Sequence, residues 1–194
     1  MSTMHAPRIH RMIAAMLLAV GLACENHVAK AQNNLYGIND SLYHIFTIIE
    51  KNKNSEESFR LTNTLLKESR TKDDHKAECM ALSLMLHHYM YKRNDKMVSE
   101  TNDILIETAQ RYGLTQYHYF ALNNELIYQL NNNHSINAQN LAKELKELAY
   151  QKNDTYGIYS SMKAFGYICQ ARENAYLACK HFEEAIDYCR KNLP

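Results

Sequence analysis

Between its two prolines, Pro7 and Pro194, this 194-residue chain contains nothing that breaks a helix by ring geometry. It holds five glycines and no tryptophan. Strands joined by glycine-rich turns therefore find little support, and the composition tilts the reading to an all-α fold. Beyond the N-terminal region no apolar run is long enough to cross a bilayer. There is no glycine-rich phosphate loop, no Gly-x-Ser-x-Gly elbow, no His-Glu-x-x-His pattern and no Cys-x-x-Cys pair. An enzymatic reading thus has no motif to stand on.

What is present begins with an export pattern. Arg8, His10 and Arg11 precede an apolar run from Met12 to Ala23, too short for a membrane span and right for a signal-peptide core. Ala29-Lys30-Ala31 offers small residues where a signal peptidase reads, which predicts a signal peptide over 1–31 and a folded domain over 32–194. Leu22-Ala23-Cys24 competes, because it resembles the end of a bacterial lipobox and would make Cys24 a lipid anchor. Soluble export, to the periplasm of a bacterial cell, is the preferred expectation. Removing 1–31 takes away Arg8, Arg11, Lys30 and Glu25, leaving 19 basic and 20 acidic side chains. No basic stripe remains to follow a phosphate backbone, so nucleic acid is not expected as a partner, whereas a protein or peptide is.

Cys79, Cys169, Cys179 and Cys189 follow Cys24. Cys179 and Cys189 are ten residues apart on one expected helix, about 15 Å along its axis, and cannot bond to each other there. Cys169 with Cys179 is the conceivable bridge. Small buried thiols are the preferred reading.

From Ile38 onward apolar residues recur at helical spacing, as in Leu42, Ile45, Phe46 and Ile49, or Leu141, Leu145 and Leu148. Polar breaks at 51–55, 71–74, 92–95, 113–115, 131–135, 153–155 and 170–174 divide the chain into eight helices. These group into hairpins near 38–70, 74–112, 114–152 and 156–192, and Ser69, Ala109 and Ala149 mark a forty-residue recurrence at three helix ends. Helix, short turn, helix, repeated along the chain, predicts a solenoid.

In the last hairpin Gly166, Ala178, Phe182 and Ala185 stand at the spacings of the tetratricopeptide signature, and the chain resembles that family there. Gly166 and Ala178 would let two helices approach closely, with Phe182 and Ala185 one turn apart on the same face. Met162 replaces the family's aromatic residue and Arg190 its proline. The break at 131–135 reads as longer than the family's turn, which takes the strict register away in the third hairpin. The resemblance implies a right-handed helical-hairpin solenoid of about four pairs. It also implies a concave groove lined by the first helix of each pair, like the exported sensory region that precedes a membrane span in bacterial signalling proteins.

By that implication Lys163, Tyr167 and Gln170 are candidate peptide contacts, with Tyr117, Asn124 and Tyr128 extending the groove from the third hairpin. His87, His88 and His118 carry the rival reading, a small metal-binding protein or enzyme, but adjacent helical residues point about 100° apart and ligate one ion poorly. The acid pairs Glu56-Glu57, Asp73-Asp74 and Glu183-Glu184 read as solvated helix charge. The expectation is a non-enzymatic binding scaffold, with no catalytic residue, metal or cofactor. The last stretch, Leu177 to Asn192, reads as an ordinary repeat helix rather than a polar cap. It predicts an apolar edge covered by a partner or a second copy, or left by truncation of a longer sensor.

Overall fold

The computed structural model describes residues 36–52 and 55–192. The expected signal peptide, the peptidase site and Cys24 lie outside them. All described secondary structure is helical and falls within one compact unit, Ile38–Pro194. The eight helices are α1 (Asp40–Lys51), α2 (Glu56–Thr71), α3 (His75–Lys92), α4 (Asp95–Arg111), α5 (Thr115–Asn131), α6 (Ser135–Gln151), α7 (Thr155–Ala171) and α8 (Ala175–Asn192). Each packs on its chain neighbours, and α3 also packs on α5 and α5 on α7. The odd-numbered helices thus form one layer and the even-numbered helices back it, a helical-hairpin solenoid of about four pairs.

The six turns after α2 share one design. Asp73, Arg93, Gly113, Asn133, Asn153 and Glu173 all have positive φ, and they stand at intervals of twenty residues. The amide that follows each one donates five residues back, as in Asp74 to Ser69, Leu114 to Ala109, His134 to Gln129 and Asn174 to Cys169. This is the Schellman closure, in which a left-handed residue ends the helix and its successor satisfies a terminal carbonyl. That successor is also the N-cap of the next helix. Asp74, Asn94, Asp154 and Asn174 each accept from the amide three residues on, at 2.9, 3.3, 3.0 and 3.1 Å. One two-residue device therefore stops one helix and starts the next, and its spacing fixes a forty-residue hairpin. The 131–135 turn has this same geometry, with Asn133 left-handed and His134 before α6, so it is no longer than the others. The forty-residue register consequently runs unbroken from α3 to α8.

Packing follows the sequence pattern. The middle cluster joins Leu82, Leu86, Val98, Leu105 and Ala121, and the C-terminal one joins Leu122, Leu126, Leu145, Ile158 and Ile168. Small residues set the closest approaches. Ser69, Ala109 and Ala149, the recurring helix-end positions, are fully buried. A Cβ on Gly166 would lie 2.5 Å from the Phe182 ring, and Ala178 and Ala185 are buried beside it. Helices α3 and α7 bury residues on nearly every side because neighbours flank them, whereas α4 and α6 bury one stripe.

The cysteines divide. Among the described residues none is in a disulfide; Cys79 is buried, Cys169 and Cys189 are half-buried, and Cys179 is exposed, so the buried reading fits Cys79 best. Burial, with Glu78 adding to it, pushes the Cys79 thiol up to about 12. It is an inert core group.

Candidate functional site

The forty-residue register assigns equivalent positions on the three stacked odd-numbered helices. Lys163, Tyr167 and Gln170 on α7 correspond to Asn123, Ile127 and Leu130 on α5 and to Ser83, His87 and Met90 on α3. All nine are partly or fully open to solvent, on helices otherwise buried on most sides. The layer is stitched at this face. Asn123 Nδ2 donates to Ser160 Oγ across α5 and α7 at 2.7 Å, and to the Tyr119 carbonyl at 2.9 Å. His87 meets Phe120 edge-on at 5.4 Å between ring centroids, joining α3 to α5.

On α7 the candidate residues are positioned by packing. Lys163 Nζ lies 5.0 Å from the centroid of the Tyr159 ring, which orients the ammonium along the face. Tyr167 stands edge-on to Phe182 at 5.4 Å, and its hydroxyl pKa is raised by burial. Half of this side chain is thus core and half surface. Gln170 sits at the end of the row, in the last turn before Glu173.

Tyr117, Asn124 and Tyr128 take a different direction. Their register equivalents on α7 are Gly157, Ala164 and Ile168, all buried. Tyr117 packs against the middle cluster and also against a third one that joins Leu42, Phe46, Leu65 and Met80, and Tyr128 packs against the middle one. Asn124 is buried, with an Nδ2 that has no hydrogen-bond partner among the described residues. The Tyr128 hydroxyl is raised by burial first and then by Asp95 on α4. The structure therefore does not join this set to the Lys163 row. Asn123 and Ile127, one residue before Asn124 and Tyr128, continue that row together with Leu130. A strict forty-residue count back from α7 would have found them.

The histidines do not converge either. His87 is exposed on the odd-helix face. His88 stacks on Phe59 of α2 with centroids 4.0 Å apart and 15° between planes, and burial lowers its pKa. His118 is buried where α5 meets α4, with Gln110 Nε2 3.3 Å from its Nε2. Burial again lowers its pKa, opposed by Glu144 and reinforced by Lys152. Among the described residues no group of three His, Cys, Asp or Glu side chains could hold a metal ion.

A repeated joint explains His118. Gln110 and His118 stand forty residues after Arg70 and Glu78, and there Arg70 Nε donates to Glu78 Oε1 at 2.7 Å. At the next joint the equivalents are Tyr150 and Ile158. The joint between hairpins is thus filled by an ion pair and then by an amide with an imidazole, and at the third the sequence sets a tyrosine and an isoleucine. The acid pairs serve structure as well. Glu56 and Glu57 occupy the first turn of α2, where the helix dipole favours them, and pair with Lys92 at 2.9 Å and Arg60 at 2.6 Å.

Compared with known proteins, the chain matches no family model, no curated protein and no solved structure.

Proposed function

We propose that the chain is a non-enzymatic binding scaffold of tetratricopeptide type, whose odd-helix face receives an extended protein or peptide segment. The observation that carries this reading is the register. Three stacked helices present equivalent rows, Ser83–Asn123–Lys163, His87–Ile127–Tyr167 and Met90–Leu130–Gln170, on the side where α3, α5 and α7 adjoin. A hydroxyl, an amide and an ammonium along one row suit the polar groups of a peptide, and the apolar and aromatic groups that predominate along the others suit side chains. The basic flank, apolar run and Ala29-Lys30-Ala31 support export to the periplasm, with lipid anchoring at Cys24 as the alternative. A sensory role at the front of a signalling assembly accords with that placement. No helix among the described residues is long and apolar enough to cross a membrane.

The test is selection from a random peptide display library on the immobilised chain. The comparison variant carries Lys163→Glu with His87→Glu, chosen because both positions reach solvent while Tyr167 is half core. A recurring peptide pattern enriched by the wild type and lost by the variant, at unchanged helical circular dichroism, is the expected result. Equal enrichment by both proteins, or none by either, overturns the assignment to this face.

A further inference from the structure

The three joints between hairpins, α2 with α3, α4 with α5 and α6 with α7, differ in what fills them. A Cβ on Gly157 would lie 2.8 Å from Ala149 Cβ, which sets these residues opposite each other across α6 and α7. Seven residues are close to two whole turns, so a step of seven along each of these antiparallel helices keeps the same faces together. It brings Ala142 opposite Ala164, both fully buried. The forty-residue register then sets Thr62 opposite Leu84 at the first joint and Asn102 opposite Asn124 at the middle one. Both asparagines are more than nine-tenths buried, and Asn102 Oδ1 and Asn124 Nδ2 have no hydrogen-bond partner among the described residues. A buried acceptor and a buried donor thus share the middle joint without satisfying each other, which weakens it. Gln110 and His118, 3.3 Å apart, fill the same joint further along.

The apolar side chains of α5 are divided to match. Tyr119, Leu122 and Leu126 all join the C-terminal cluster, whereas the buried residue that α5 gives to the middle cluster is the small Ala121. Leu114, Tyr117, Phe120 and Tyr128 reach that middle cluster from partly exposed positions. The turn differs too. At the outer joints Asp74 and Asp154 cap the helix that follows, but Leu114 gives α5 no side-chain cap. Gly113 precedes it, where the outer turns have Asp73 and Asn153. A Cβ on Gly113 would meet nothing within 4 Å, so packing does not call for the glycine. What it adds is a backbone with more accessible conformations.

We propose that the middle joint is a hinge, about which α1–α4 and α5–α8 swing as two bodies. Helix α5 stays with α7 through the Asn123–Ser160 bond and the C-terminal cluster, while across the hinge α3 meets α5 through His87 and Phe120. Swinging changes the spacing between Ser83, His87 and Met90 on α3 and the equivalent positions on α5 and α7. The odd-helix face thus has an adjustable width. That use rests on the peptide reading of the face; the hinge itself does not.

The experiment measures distances between paired spin labels by double electron–electron resonance on the full chain. The labels are carried on a ketone-bearing unnatural residue, which leaves the cysteines untouched. Asn63, Asp103, Lys143 and Glu183 are register equivalents on the four even-numbered helices, and all are exposed. The pairs 63 with 103, 103 with 143 and 143 with 183 therefore each span one joint in the same geometry. The distance distribution for 103 with 143 should be at least about twice as wide as for either outer pair. Asn102→Ala with Asn124→Ala, which copies the alanines of the α6–α7 joint, should narrow it to the outer width. Gly113→Asn, an asparagine being what Asn153 already is at the same turn position, should narrow it part of the way. Equal widths for the three pairs in the wild type, or a middle pair that stays broad in both variants, overturns the hinge.

Discussion

The two helical glycines separate what the fold tolerates from what it does not. A Cβ added at Gly157 would lie 2.5 Å from the Tyr119 ring and 2.8 Å from Ala149 Cβ, and both neighbours are fully buried. The ring cannot swing into solvent, and Ala149 is fixed to the α6 backbone, so relief requires α7 to move off α5 and α6 together. Overpacking of that kind costs about 3 kcal/mol, the upper end for an inserted methyl in a closed site. Alanine returns about 1 kcal/mol through helix propensity. Gly157→Ala should therefore lose about 2 kcal/mol, read as a lower urea midpoint by circular dichroism, with a fall of about 6 °C in Tm for a domain of this size. Gly166→Ala meets only the Phe182 ring, which is half-buried and can turn, so it should stay within about 1 kcal/mol of wild type. Tyr119→Leu removes the ring atoms that collide, so the cycle with Gly157→Ala should fall short of additivity. If Gly157→Ala is as stable as wild type, or the cycle is additive, the close approach of α5, α6 and α7 is wrong.

Two further expectations rest on local chemistry. His118 has a folded pKa below the ordinary 6.5, so its contribution to stability is present above that value and is lost as pH falls through the window beneath it. His88, lowered in the same direction, acts likewise. The unfolding midpoint should drop on acidification below about pH 6.5. His118→Gln, which titrates nowhere in that range, should flatten part of the drop; an unchanged slope would place His118 outside the linkage. At the turns, Glu173 holds a left-handed conformation that costs a side-chain-bearing residue about 1–2 kcal/mol. Glu173→Gly should raise stability by roughly 0.5–1 kcal/mol after the added freedom of the unfolded chain is subtracted, measured by urea titration. A loss of stability would mean that the turn is not strained.

Much of the fold was legible because its punctuation is local. Asp74, Asn94, Asp154 and Asn174 cap helices with their own side chains, so the breaks found along the sequence fall at or within two residues of the helix ends. Five of the six left-handed positions are not glycine, which hid the twenty-residue beat from a reading that looks for glycine at helix ends. For the same reason the 131–135 turn read as long, because Asn133 gave no sign that it closes α5 as Gly113 closes α4.

The candidate face was legible only in part. Lys163, Tyr167 and Gln170 were chosen because the last hairpin matches a known spacing, and they share one partly open face of α7, but Tyr117, Asn124 and Tyr128 were grouped by a shared helical face without a fixed register. A shift of one residue turns a helix by about 100°. That rotation separates Asn124, buried, from Asn123, which bonds to Ser160 across the layer.

The sequence by itself determined the helix count, the forty-residue hairpin and the absence of catalytic motifs, because hydrophobic period, caps and motif spacing are properties of neighbours along the chain. Only the tertiary structure decided which face of each helix is open, that Cys179 is exposed while Cys79 is buried, and that His118 fills a joint. Those depend on which helices lie alongside, and α7, flanked by α5, α6 and α8, buries residues on nearly every side with little amphipathic pattern to announce it.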